Sequence, residues 1–134
     1  MIRYLLIACL LLSLTACSAG KRNEAVHSTL TEYAQLMRWG DLGAASGFFD
    51  PELPELTPDE HYFSRLSNYQ VTRYREIGRS MLDDDTLSQR IELRLVNIHT
   101  LAEHVLLHDQ TWRYDRDDQR WWKTSAMPDL PGRR

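Results

Sequence analysis

Three histidines, His99, His104 and His108, fall within one ten-residue stretch and raise the question of metal chemistry. On a strand, residues 104 and 108 share a face but lie about 13 Å apart at roughly 3.3 Å per residue, too far for one ion to bridge. Only a helix would bring them together, and Val105 to Trp112 reads as strand, so surface or groove histidines are expected. Asp115, Asp117 and Asp118 are spaced like the opening of a calcium loop. Arg120 stands where that loop needs its glycine and Ala126 where it needs its glutamate, so the run is expected to be a hairpin turn. Acid–base catalysis needs a carboxylate or a histidine–carboxylate pair held in a pocket. Asp50, Glu76, Glu92, His104 and His108 are the candidates to point inward. Glu92 alternates with Arg90 and Arg94, which places it on a wet face, and no pair has a spacing that compels a site. There is no Gly-x-Ser-x-Gly elbow for a serine hydrolase. No catalytic residue, metal or cofactor is assigned on these grounds.

Aromatic side chains are the other chemistry on offer. Trp39, Tyr74, Trp112, Tyr114, Trp121 and Trp122 are too many for one side of a thin hairpin. Trp121 and Trp122 are adjacent and so point to opposite faces of a strand. One is expected in the core, and the other is either covered by a long arginine or a helix, or left exposed. Trp112, Tyr114, Trp121 and Trp122 are the candidate surface for a ligand or a partner.

The elements that must hold these residues follow from periodicity. Asn23 to Trp39 is expected as the first helix, with Val26, Leu30, Tyr33 and Met37 on one stripe, widened by Ala34 and Leu36. Gly40 is the expected stop. Asp41 to Phe49 reads as a shorter helix capped by Asp41 and ended by Asp50-Pro51. Thr57-Pro58-Asp59-Glu60 reads as a capping box opening a third helix that ends near Leu66. Strands come next. Tyr69, Val71, Arg73, Arg75 and Ile77 alternate with Gln70, Thr72, Tyr74 and Glu76, and Gly78 is placed to bend or bulge the strand. Asp83-Asp84-Asp85 is a turn, and Ile91, Leu93 and Leu95 mark a strand with one wet face. The chain turns again around His99 to Ala102. Val105, Leu107 and Trp112 lie on a third strand, Asp115 to Asp118 form a hairpin tip, and Trp121, Trp122 and Lys123 open a fourth strand that Pro128 ends. Helices followed by an antiparallel four-strand meander define an α+β class, with the sheet curled around the first helix.

The N-terminus supplies an address. Arg3 gives a thin positive segment, and Tyr4 to Leu14 is apolar apart from Ser13, too short to span a membrane but suited to a signal peptide. Leu14-Thr15-Ala16-Cys17 resembles the lipobox of bacterial lipoproteins. The resemblance implies cleavage before Cys17, a diacylglyceryl thioether on its sulfur and an acyl group, such as palmitate, on the new amine. Two or more chains anchor a protein stably where one does not. Ser18 stands where an aspartate would favour retention at the inner membrane in that family. A periplasm-facing outer-membrane location is thereby implied if the source is Gram-negative. The expected organisation is a signal peptide at 1–16, a lipidated tether at 17–22, an α+β domain at 23–128 and a tail at 129–134. Cys9 leaves with the signal peptide, Cys17 would be acylated, and no other cysteine exists, so no disulfide is expected. The formal net charge is −3, and one unit more negative without Arg3, which excludes the basic face a nucleic-acid binder needs.

The order of elements also resembles the nuclear-transport-factor-like, or cystatin-like, cone fold shared with ketosteroid isomerases and polyketide cyclases. The residues that carry this are Met37-Arg38-Trp39-Gly40-Asp41, Phe48-Phe49-Asp50-Pro51, and the hairpin from Gln110-Thr111-Trp112-Arg113-Tyr114-Asp115 to Arg120-Trp121-Trp122-Lys123-Thr124-Ser125. Small uncharacterised bacterial lipoproteins with such an aromatic hairpin look similar. The fold hosts enzymes and binding modules alike. The expected role is a non-catalytic, membrane-anchored binding module whose partner is an envelope protein, a second copy of the chain or a small ligand. An isomerase- or dehydratase-like enzyme using the cone cavity is the alternative.

Overall fold

The computed structural model describes residues 2–132, and for residues 2–18 and Leu42 the backbone alone. The Cys17 thiol therefore lies outside the described residues. Helix α1 runs from Ile2 to Trp39 without a break at Asn23. The expected tether at 17–22 is helical because nothing in it opposes helix: it holds no proline, and its one glycine, Gly20, costs only about 1 kcal/mol. Val26, Leu30, Tyr33 and Met37 form the buried stripe. Gly40 closes the helix at φ 80°, donating its N–H to the Leu36 carbonyl at 3.0 Å.

Helix α2 is shorter than expected, Leu42–Ala45, and tightens into a 3₁₀ turn over Ser46–Phe48. Asp41 caps it by accepting the Ala44 N–H at 3.1 Å. Helix α3, Glu60–Leu66, starts later than the Thr57-Pro58 signal suggests. Asp59 takes over as N-cap, its carboxylate accepting the Tyr62 N–H at 2.7 Å, and Thr57 closes the preceding 3₁₀ turn in an extended conformation.

Four antiparallel strands follow in sequence order: β1 (Tyr69–Met81), β2 (Thr86–Asn97), β3 (Glu103–Asp115) and β4 (Arg120–Lys123). The alternation predicted for β1 changes phase. A register shift between Val71 and Arg73 lets Tyr74 oppose Leu93 and Glu76 oppose Ile91, so both face inward while Arg73 and Arg75 face out. A second shift between Glu76 and Gly78 matches the expected bend and leaves Ile77 exposed. On β2, Leu87, Gln89, Ile91, Leu93 and Leu95 alternate inward without interruption.

The core has two lobes on the inner face. In one, the α1 stripe meets Phe48, Leu87, Trp112 and Trp121. Tyr33 is its hub, edge-on to Phe48, Tyr74 and Trp112 at 5.6, 6.2 and 5.2 Å. In the other, Leu66, Val71, Leu93 and Leu95 pack with Leu130. Within the expected tail, the chain through Pro131 is thus part of the domain. The Tyr62 and Tyr69 hydroxyls hold it by donating to the Pro128 and Pro131 carbonyls at 2.8 and 3.1 Å.

Candidate functional site: a polar cleft between α1 and the sheet

The phase change in β1 has a chemical consequence. It brings Tyr74 and Glu76 to the inner face beside Gln89 of β2 and Gln110 of β3, which oppose each other across the sheet. Gln89 is 3% exposed and Gln110 2%. The Tyr74 hydroxyl donates to Gln110 Oε1 at 3.1 Å, and Gln89 Nε2 donates to Glu76 Oε2 at 2.5 Å. Arg79 grips the same carboxylate through Nε and Nη2 at 3.0 and 2.8 Å. Burial, with Glu76 nearby, holds the Tyr74 phenol neutral by raising its pKa. Gln89 Oε1 is buried and accepts no hydrogen bond from any described residue. Its Nε2 is committed to Glu76, so turning the amide over would only exchange one mismatch for another.

Above this ladder lies a cleft of about 450 Å³ whose other wall is α1, with His27, Thr31, Ala34, Arg38 and Trp39 along it. Trp39 is 78% exposed at its mouth, with the Arg38 guanidinium 5.4 Å from the indole. The arrangement offers a polar floor, with the Gln89 acceptor enclosed beneath it, apolar walls and cationic groups at the rim. That suits a small molecule with a hydrogen-bond donor and an apolar body.

The aromatic surface expected from the sequence does not exist as a surface. Trp112 and Trp121 are buried in the core. Tyr114 is half-buried with its ring 5.3 Å from that of Trp121, and Trp122 is half-buried under the Arg120 guanidinium at 4.1 Å. Among the inward candidates, Glu76 alone lines the cleft. Asp50 is buried but structural: Arg113 donates to its Oδ2 through Nε and Nη2 at 2.9 and 2.8 Å. Glu92 lies on the outer face with Arg73 and Arg75, as its alternation implied. His99 pairs with Asn68, and His104 lies against the Tyr69 ring. His108 is half-buried near Lys123, and burial pushes its pKa down to about 4. Among the described residues no three His, Cys, Asp or Glu side chains gather where a metal could sit. The Asp115 carboxylate accepts the N–H groups of Asp117 and Asp118 and so builds the expected turn.

Two functional features escaped the sequence reading. Gln89 had a legible signal, a polar residue at an inward position of an otherwise apolar alternation. Lys123 had none. It is fully buried beneath the chain that follows it, donating from Nζ to the carbonyls of Ser125 and Ala126 and to Ser125 Oγ, with Phe49 4.9 Å away. Burial lowers its pKa to about 7.

No protein-family model matches the chain, and no curated protein matches it. Among solved structures it is similar to the solution structure of a SEC-C motif containing protein from Rhodopseudomonas palustris. The two share 16% sequence identity over 70% of this chain and 72% of that one, with a TM-score of 0.55. At that identity the likeness concerns the fold alone, and it supports helices packed with an antiparallel sheet.

Proposed function

We propose that this chain is a lipoprotein anchored at the cell envelope through acyl chains on Cys17, facing the periplasm from the outer membrane. Its domain is read as a cone of the ketosteroid-isomerase-like kind that binds a small ligand without transforming it. The observation that carries the binding role is the open cleft of about 450 Å³ between α1 and the sheet, with the Glu76–Arg79 pair along its floor and Trp39 exposed at its mouth. Glu76 supports binding over the isomerase or dehydratase alternative. Both of its oxygens already accept hydrogen bonds from Arg79 and one also from Gln89, which gives it the role of orienting its neighbours.

Two experiments test the two halves. The membrane-extracted protein should have the mass of residues 17–134 plus acyl chains, and Cys17→Ser should release it or leave an uncleaved precursor. A processed, membrane-bound mutant would overturn the anchor. For the cleft, native mass spectrometry of the mildly extracted protein should find a small molecule that survives purification. Ala34→Trp fills the cleft from the α1 side without replacing any residue of the polar ladder and should abolish that extra mass at unchanged circular dichroism. A wild-type protein that carries no such mass, or an Ala34→Trp protein that keeps it, would overturn the cleft as the binding site.

A further inference from the structure

The first turn after Cys17 is clamped to the sheet. The Trp121 indole donates to the Arg22 carbonyl at 3.2 Å, and Arg22 Nη1 lies 3.5 Å from Asp85 Oδ1 in the β1–β2 turn. Asp85 is itself fixed: Arg116 Nε donates to its Oδ2 at 2.8 Å, and its carbonyl accepts the Tyr114 N–H at 2.7 Å. Arg22 follows Cys17 by only five positions, about 8 Å along a helix. A domain mounted this way cannot tumble freely above a membrane.

The elements also finish at the same height. Strand β1 runs against α1: Met37 and Trp39 share a groove with Tyr69 and Val71, while His27 and Thr31 lie across from Glu76 and Arg79. From Gln70 to Met81, β1 advances about 36 Å at roughly 3.3 Å per residue. From Arg38 back to Cys17, α1 covers about 32 Å at 1.5 Å per residue. The tip of the β1–β2 hairpin therefore ends near the level of the acylated cysteine. Two apolar side chains stand on that tip, Met81 at 50% and Leu82 at 61% exposure.

We propose that this tip is a second membrane contact, with Met81 and Leu82 entering the headgroup layer beside the lipid anchor. The proposal rests on the Cys17 anchor argued above. The occupant is a zwitterionic phospholipid surface. Asp83, Asp84, Asp117 and Asp118 outnumber Lys21, Arg22 and Arg116 at this end, so anionic lipid would repel it. The opposite end, with Leu101 and Trp39, then points into the periplasm.

A cysteine introduced as Leu82→Cys can be labelled alone in the mature protein, because acylation removes Cys17 from reaction. In vesicles of phosphatidylethanolamine and phosphatidylcholine, a fluorophore at residue 82 should be quenched several-fold more by brominated lipid than one at Leu101→Cys. Replacing half the lipid with phosphatidylglycerol at low salt should weaken that quenching. Equal quenching at both positions, or none at either on vesicle-bound protein, would overturn the contact, and stronger quenching on anionic vesicles would overturn its zwitterionic character. Two labels per chain, one of them on Cys17, would instead show that the anchor is missing and would remove this contact with it.

Discussion

Trp121→Ala should destabilise the domain by about 3–5 kcal/mol, whereas Trp122→Ala should cost about 1 kcal/mol or less. The two residues are neighbours on β4 and chemically identical, so the difference isolates their surroundings. Trp121 is buried among Val26, Leu30 and Phe48, and its indole also ties β4 to Arg22. Alanine there opens a cavity that a helix-on-sheet core cannot close by itself, and it drops a hydrogen bond. Trp122 loses a stacking arginine and a half-wet surface. Urea unfolding of the mature chain, followed by circular dichroism, reads both. Equal small losses would mean that the hairpin is not packed under α1 at all.

Stability should peak at alkaline pH, near 9 to 10, and Lys123 should be the reason. In the folded protein burial lowers its pKa to about 7 from an ordinary 10.5. Between those values the unfolded chain holds a proton that the folded chain does not, so stability rises with pH, by at most about 1.4 kcal/mol per unit. His108 adds a rise of the same sign between about 4 and 6.5. Above about 10 the sign reverses. Tyr62 and Tyr74 are held neutral by burial, so the unfolded chain ionises first and stability falls. Lys123→Met should flatten the limb between 7 and 10.5 and keep a histidine limb set mainly by burial, narrowed at its lower end by loss of the neighbouring Lys123 charge. Denaturation midpoints measured from pH 4 to 11 give the curve. A wild-type protein whose stability is flat or falls from pH 7 to 9 would show that the buried ammonium group keeps its proton.

The buried lysine illustrates why the site was less legible than the fold. The fold was written in short-range patterns. Val26, Leu30, Tyr33 and Met37 recur at helical spacing, and Leu87 to Leu95 alternate at strand spacing, so each element could be placed from its own residues. The turns at Asp83–Asp85 and Asp115–Asp118 separate strands at the expected places, which is why their number and order could be read. Register carries no such signal. One extra residue near Thr72 exchanges the faces of Arg73 to Glu76, and that exchange creates the cleft by turning Glu76 toward Gln89.

Long-range packing decided the remainder. Trp121 and Trp122 are equivalent in sequence, and only the position of α1 selects which is buried. Leu130 is a core residue because Tyr62 and Tyr69, more than sixty residues earlier, hold the chain around it. Lys123 is desolvated because that same returning segment closes over it. By itself the sequence determined the α+β class, the helix stripe and the order of the strands, since backbone periodicity is a local property of hydrophobic spacing. Tertiary structure alone decided which tryptophan is core, which glutamine lacks a donor and which lysine is dry, since each depends on a partner that register and packing bring from elsewhere in the chain.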